Sequence, residues 1–492
     1  MLTTRAGSIP AADAFGRGRV RDLFLRLLGL CFLAAFLSLL TQVRLLWGAE
    51  GLLPAAAYME RVRRLARFVD APTVFWLGAG DRALWWTAAA GAAVSVLLAA
   101  GIAPRWCLVA LWALYLSFVT VGQDFLSFQW DNLLLESAFF ALFVAPPGLR
   151  PRRAPAPHPL GVFLLLWLLF RLQLESGFAK LLLGDPTWRG LTAMVSYWET
   201  APLPTWVGWW AHQLPRPAQE AATGATLAIE LGAVWLFWGP RRARVVAAVA
   251  IAAMQIVILL TANYQTFNYL TLALTLLLLD DGHLAWLAAR VGRTLAPAPP
   301  PLPGRGRTAA YAAATAILVP LSVVPFLPLV RRVAPVPGAL APVERALAPF
   351  RTLNAYHLFA QMTLVRREAV IEGTADGVTW QPYELRWKPG DPRRAPAFVA
   401  PHQPRVDFQL WFLLLGGPTP RYFERLLERL RDAPAVVAPL FAADPFPRDP
   451  PRAVRVAVYR YRFSDRATRA RTGAWWTREL LGTTRPLSGP RP

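Results

Sequence analysis

Long apolar runs recur along most of this chain and leave few folds open to it. Leu23–Trp47, Leu84–Ile102, Trp106–Val121, Leu160–Ala179, Ala222–Trp238, Val245–Ala262 and Ala309–Val330 each approach the length needed to span a hydrocarbon core, about 20 helical residues. Two further runs are marginal: Phe125–Ala145 contains Gln129, Asp131, Asn132 and Glu136, and Thr266–Leu279 is short. The expected fold is a polytopic α-helical membrane bundle of about eight or nine spans, followed by a small mixed α+β extramembrane domain. Only 17% of residues are charged, against about 25% in soluble domains, and this agrees with a bilayer environment. The first run is far longer than the apolar region of a signal peptide, so it reads as a retained span.

A net charge of +22 raises the question of nucleic-acid binding. The positions of the arginines argue against it. Arg17, Arg19 and Arg21, Arg105, Arg150, Arg152 and Arg153, Arg241, Arg242 and Arg244, and Arg290, Arg293, Arg305 and Arg307 all flank apolar runs. With the N-terminus in the cytoplasm, alternate loops carry this charge, as retained cytoplasmic loops do. The partner implied is the lipid bilayer, and no nucleic acid is expected. Arg61, Arg63, Arg64 and Arg67 break the pattern and read as an interfacial amphipathic helix. An odd number of spans then places everything beyond Val330 outside the cytoplasm.

These features divide the chain into a cytoplasmic segment 1–22, a multi-span region 23–330 and a non-cytoplasmic α+β region 350–492. A proline-rich linker, Ala296–Arg307, precedes the last span. Within the tail, Val365–Glu372 and Val378–Trp387 flank the glycine-bounded turn 373–377 and predict a hairpin. Ala453–Phe463 alternates like a strand, but its apolar phase switches between Val458 and Tyr459, as a β-bulge requires. Arg421–Asp432 puts Phe423, Leu426, Leu427 and Leu430 on one helical stripe.

The motifs of serine hydrolases, zinc proteases and nucleotide-binding enzymes are missing from the sequence, and no cofactor or metal site is expected. Cys31 and Cys107 both lie in apolar runs and offer no disulfide framework. The strongest chemical features are polar residues within apolar runs, because each is costly in lipid unless satisfied. Asp124 and Asp131, seven residues apart, fall on one helical face, and Asn132 and Glu136 form an i,i+4 pair. Arg171 and Glu175 form another, and Lys180 closes that run ahead of Asp185. Such groups either pair across helices to fix the bundle or line a cavity at its outer face. Trp188, Trp198, Trp206, Trp209 and Trp210 read as an aromatic belt, with a lipid or client groove as the alternative. His357 and His402 read as isolated, hydrogen-bonded residues.

Several stretches resemble the lipase maturation factor family. They are Gln129–Glu136, Arg171–Trp188 and Thr261–Tyr269 in the apolar region, and Phe350–Tyr356, Val365–Glu368, Glu372–Gly373, Trp387–Asp391, Phe398–Asp407, Asp444–Pro447 and Tyr459–Phe463 in the tail. The tail positions that carry it best include Asn354, Tyr356, Arg366, Arg367, Glu372, Pro401 and His402. The resemblance implies an endoplasmic reticulum membrane protein whose tail helps secreted lipases fold and assemble; it implies no catalytic residue. The Arg-, Ala- and Pro-rich composition suggests a bacterial member, for which the equivalent place is the inner membrane. A shorter resemblance, Gly177–Lys180 with Asp185 and Trp188, is to the membrane region of vitamin K-dependent γ-carboxylase. It implies an alternative: Lys180 as a base on a quinone-type substrate, with Glu175 and Asp185 as its partners.

Overall fold

The computed structural model of the chain describes residues 16–151, 154–296, 298–301, 304–332 and 338–488. Residues 1–15, Arg152, Arg153 and positions 297, 302 and 303 of the proline-rich linker lie outside the described residues.

In chain order the bundle contains α1 (Gly18–Leu40), α2 (Asp81–Ala100), α3 (Pro104–Val121), α4 (Gln129–Ala141), α5 (Pro159–Leu182), α6 (Arg216–Trp238), α7 (Arg241–Thr261), α8 (Phe267–Leu278) and α9 (Arg305–Val330). All but α4 and α8 are long and apolar enough to cross a membrane. α8 reaches that length only together with Asp281–Arg290, from which it is bent by 104°. The stretch Phe125–Ala145, marginal as a span in the sequence, does not form one span-length helix. Gln123 takes a left-handed φ of +46°, a 3-10 turn covers Gln123–Leu126, and only the 13-residue α4 follows. At 1.5 Å per residue such a helix is about 20 Å long, short of the roughly 30 Å hydrocarbon core.

The nine helices nevertheless run alternately between the same two ends of the bundle. At one end, the start of α1 meets the region beyond α8, where Arg19 and Val20 N–H groups donate to Asp281 Oδ1 at 2.9 and 3.0 Å. Arg105 at the start of α3 reaches Ala145 O (2.9 Å), and Tyr311 early in α9 reaches Phe143 O (2.7 Å). At the other end lie Leu40, Asp81, Val121, Gln129, Leu182, Arg216, Thr261 and Phe267, together with the described residues of the tail. Small residues let these helices approach closely. A Cβ on Gly29 of α1 would stand 2.6 Å from the backbone nitrogen of Ala99 in α2.

The tail folds around an antiparallel sheet of order β2-β1-β3-β4, with β1 at Arg366–Thr374, β2 at Gln381–Pro382, β3 at Ala453–Phe463 and β4 at Trp476–Thr483. A short β5, Leu487–Ser488, also pairs with β3. The register shift falls between Val458 and Tyr459, where the phase switch required it. The hairpin forms, but its second strand is only two residues long rather than reaching Trp387: the Tyr383 N–H still donates to Ile371 O (2.8 Å), and beyond it the chain leaves β1, with Leu385 bridging to Phe441 instead. α10 (Arg421–Asp432) buries Phe423, Leu426, Leu427 and Leu430 as its stripe demands.

The tail does not sit on top of the bundle. Its segments 353–362 and 397–409 descend between the helices, above the short α4 and α8. Irregular backbone at that depth is tolerated because it is enclosed by protein, with its polar groups paired.

Candidate functional site: the junction of bundle and tail

Three polar networks, each shared by bundle and tail, form the junction. The deepest centres on Arg171, eleven residues before the end of α5 and therefore about 16 Å below it. Its guanidinium pairs with Glu136 of α4, lies 3.5 Å from Glu175 Oε1, and donates to Ser322 O (2.5 Å) in α9 and Asn354 O (3.0 Å) in the tail. Glu136 Oε2 accepts hydrogen bonds from the backbone N–H and side-chain amide of Asn354, both at 2.9 Å, and from Tyr356 OH at 2.8 Å. Glu175 Oε2 accepts the Tyr356 N–H at 2.9 Å. Two carboxylates and one guanidinium, all buried, thus satisfy a loop of irregular backbone.

In the second network Asp131 of α4 faces Arg405. Arg405 is bidentate, with 2.8 Å to each carboxylate oxygen, and its guanidinium also reaches Phe125 O (3.0 Å) and Gln265 Oε1 (2.9 Å). Tyr115 OH donates to Asp131 Oδ1 at 2.6 Å. Beside this pair, Gln42 Oε1 accepts the Arg405 N–H (2.8 Å) and Ser38 Oγ accepts the Gln403 N–H (3.0 Å). His402 Nδ1 lies 3.0 Å from the same hydroxyl, and burial together with the Arg405 charge lowers the imidazole's pKa. Asn263 Oδ1 accepts the N–H groups of Val399 and Ala400 at 2.7 and 2.9 Å.

The third network contains Lys180. Its ammonium pairs with Glu230 (2.8 Å), donates to Leu358 O (2.9 Å) and Ser176 O (3.3 Å), and lies 5.0 Å from the Trp188 ring centre. The pairing expected with Glu175 or Asp185 is absent: Glu175 serves Arg171 and Tyr356. Asp185 instead accepts the Met362 N–H and the Thr187 N–H, both at 2.8 Å. Burial would raise this carboxyl, but those N–H groups and the Thr187 hydroxyl hold it below the usual carboxylate range. An ammonium held in an ion pair with two carbonyl partners gives no support to Lys180 as a free base.

One expected arrangement fails here, that of Asp124 and Asp131 on one helical face. Asp124 belongs to the 3-10 turn and Asp131 to α4, so they share no helical face, and Asp124 stays half-exposed. Asn132, also half-exposed, lies on α4 with Glu136 but stands away from the junction. The tryptophans are more than a belt. Trp188, Trp198 and Trp209 are buried in a second core with Tyr461, Phe463 and Trp476 of the tail, leaving Trp206 and Trp210 at the surface. Trp188 Nε1 donates to Phe359 O and Trp209 Nε1 to Ser464 O, both at 2.9 Å.

Among the tail positions, Arg366 is buried and donates to Glu199 O (2.8 Å), Ala201 O (2.5 Å) and Pro202 O (3.1 Å), tying β1 to the loop after α5. Glu372 pairs with Arg455 at 2.7 Å, Arg367 is exposed, and Pro401 borders an apolar groove between α1, α7 and α8. His357 hydrogen-bonds Gln129 through its N–H (2.9 Å) and Nδ1 (3.1 Å). Sequence reasoning missed Gln42, Tyr115, Glu230 and Arg405 as members of these networks. Glu230 alone had a usable signal, being the one carboxylate in the apolar run Ala222–Trp238.

Comparison with known proteins matches the same two regions. The family described as "Lipase maturation factor transmembrane domain" matches residues 19–286, and "Lipase maturation factor C-terminal domain" matches residues 352–486. "Lipase maturation factor 2" of Gallus gallus is 34% identical, over 94% of this chain and 80% of its own length. "Lipase maturation factor 2" of Homo sapiens is 33% identical over 94% and 81%, and "Lipase maturation factor 1" of Bos taurus 32% over 94% and 87%. No solved structure matches the chain. This integral membrane protein belongs to the lipase maturation factor family.

Proposed function

We propose that the protein is a membrane-anchored maturation factor that helps secreted lipases, or related secreted enzymes, fold and assemble. The observation that carries this reading is the junction itself. The ionisable residues Asp131, Glu136, Arg171, Glu175 and Lys180 of the apolar region are engaged in holding the tail, which suits an anchor presenting a rigid surface. In this reading segment 1–22 is cytoplasmic, region 23–330 is the anchor and region 350–492 faces the client. The relatives' names supply the client class. The arginines of Arg17–Arg21, Arg105, Arg241–Arg244 and Arg290–Arg307 gather at the bundle end opposite the tail, which supports a non-cytoplasmic tail by the positive-inside rule. The compartment is the endoplasmic reticulum membrane by kinship, or the inner membrane if the source is bacterial. Exposed Phe398, Phe412 and Leu415 give the tail an apolar surface near the junction for a partly folded client.

Deleting the gene and profiling secreted hydrolase activities tests this. Loss of lipase activity at unchanged transcript level, restored by the full chain, is the expected outcome. No change in any secreted hydrolase activity would sink the reading.

A further inference from the structure

A cavity of 920 Å³ lies at the junction and reaches down beside α5. Leu172, Gln173 and Ser176 line its deep part, Met254 and Ile258 of α7 one wall, and Trp411 and Phe412 of the tail its outer part. Neighbouring residues of α7, Ile256, Val257 and Leu260, are exposed on the lipid-facing surface, so this wall borders the acyl region of the bilayer.

Three observations mark the cavity as a site rather than a packing gap. First, Gln173 is buried to 3% exposure in an apolar region, yet its Nε2 has no hydrogen-bond partner among the described residues. An unpaired buried amide costs about 1–3 kcal/mol, so a ligand oxygen there would relieve it. Second, Gln409 also lines the cavity, and its Oε1 has no partner among the described residues. Third, Glu230 is presented by a π-helical turn, Ala228–Gly232, a distortion frequent at functional sites. Polar residues at membrane depth facing a cavity point the same way.

The lining also fixes the ligand class. Lys180 and Glu230 neutralise each other at 2.8 Å, the other polar groups beside α5 are amides and a hydroxyl, and the lining's remaining cation, Arg332, is exposed to solvent rather than buried with them. A charged head group would be buried without a counter-charge, at high cost. The volume falls near the top of the roughly 300–1,000 Å³ range of sites that enclose one small molecule, which for a lipid means a single chain with a compact head. We propose that the cavity binds a single-chain amphiphile with an uncharged, oxygen-rich head, of the monoacylglycerol class, entering from the bilayer past α7.

The test uses the full chain in phosphatidylcholine nanodiscs and a monoacylglycerol carrying a photoreactive diazirine in its acyl chain. Saturable adducts on the α5 segment 172–183 and the α7 segment 254–258 are expected, competed by unlabelled monoacylglycerol but not by equal fatty acid or excess phosphatidylcholine. Gln173→Leu and Ser176→Phe should lower labelling at least tenfold while the melting temperature stays within a few degrees. Unsaturable labelling spread over lipid-facing Val246 and Val249 would overturn the proposal. So would equal competition by the anionic fatty acid, or undiminished labelling in both folded variants. If neither variant folds, the wild-type adduct map and competition pattern decide alone.

Discussion

Asp131 and Arg405 stand 274 positions apart in the chain, yet they form a bidentate ion pair, with both oxygens 2.8 Å from the guanidinium. One lies in the third position of a helix too short to span the bilayer, the other in the tail that occupies the space above it. The same relationship recurs between Glu136 and Asn354 and between Glu175 and Tyr356. Bundle and tail are therefore two halves of shared polar networks rather than a platform and its cargo.

Tyr356→Phe removes one of three hydrogen bonds to Glu136 Oε2, and Asn354→Ala removes another. Each leaves a buried carboxylate less satisfied, at a cost of about 1–3 kcal/mol. Thermal unfolding in detergent, followed by tryptophan fluorescence, should show both losses. Limited proteolysis of the tail should become faster in each variant; unchanged melting and cleavage would contradict the assignment.

The junction was half legible in the sequence. Asp131, Glu136, Arg171 and Glu175 stood out because ionisable side chains in apolar runs must be satisfied somewhere. Asn354, Tyr356 and His402 stood out only through family resemblance. That the two sets meet was not legible, since nothing local records a contact across 181 or 218 positions. The helical face given to Asp124 and Asp131 failed because Gly122 and Gln123 break the helix, and a left-handed glutamine is not foreseeable from propensity. The Lys180 partner was sought nearby in sequence, while a π-turn 50 positions away supplies it. Alternation and phase, being local, exposed the bulge at Val458–Tyr459 and the buried stripe of α10.

At the contact between α1 and α2, Gly29→Val puts side-chain carbon where only backbone now fits, 2.6 Å from Ala99 N. Overpacking of this kind costs about 1–3 kcal/mol. A lower yield of monodisperse protein and a lower melting temperature are expected, whereas Gly78→Val, at an open position, should change neither.

Asp407 of the tail is buried and accepts the N–H groups of Trp387 and Lys388 at 3.0 and 3.1 Å. Burial raises its pKa from 3.8 to about 6, against the pull of those N–H groups and of the Lys388 charge. A folded pKa above the unfolded one means that the contribution to stability is present below about pH 4 and lost as pH rises through 6. Asp407→Asn keeps the acceptor oxygen and removes the titration. At pH 7.5 the variant should be more stable than wild type by up to about 3 kcal/mol, with a flatter profile between pH 4 and 6.5. Parallel pH profiles in denaturant titrations would contradict this.

A double-mutant cycle on Asp131 and Arg405 tests the shared-network account most directly. Removing either partner leaves the other charge buried and unpaired, at about 3–5 kcal/mol, while replacing both by apolar residues of similar volume removes that penalty. Unfolding of Asp131→Leu, Arg405→Met and the double variant should therefore be strongly non-additive. The double variant should be more stable than either single one, with a coupling energy of at least about 2 kcal/mol. Losses that add to within about 0.5 kcal/mol would show that tail and bundle do not share this pair and would contradict the account.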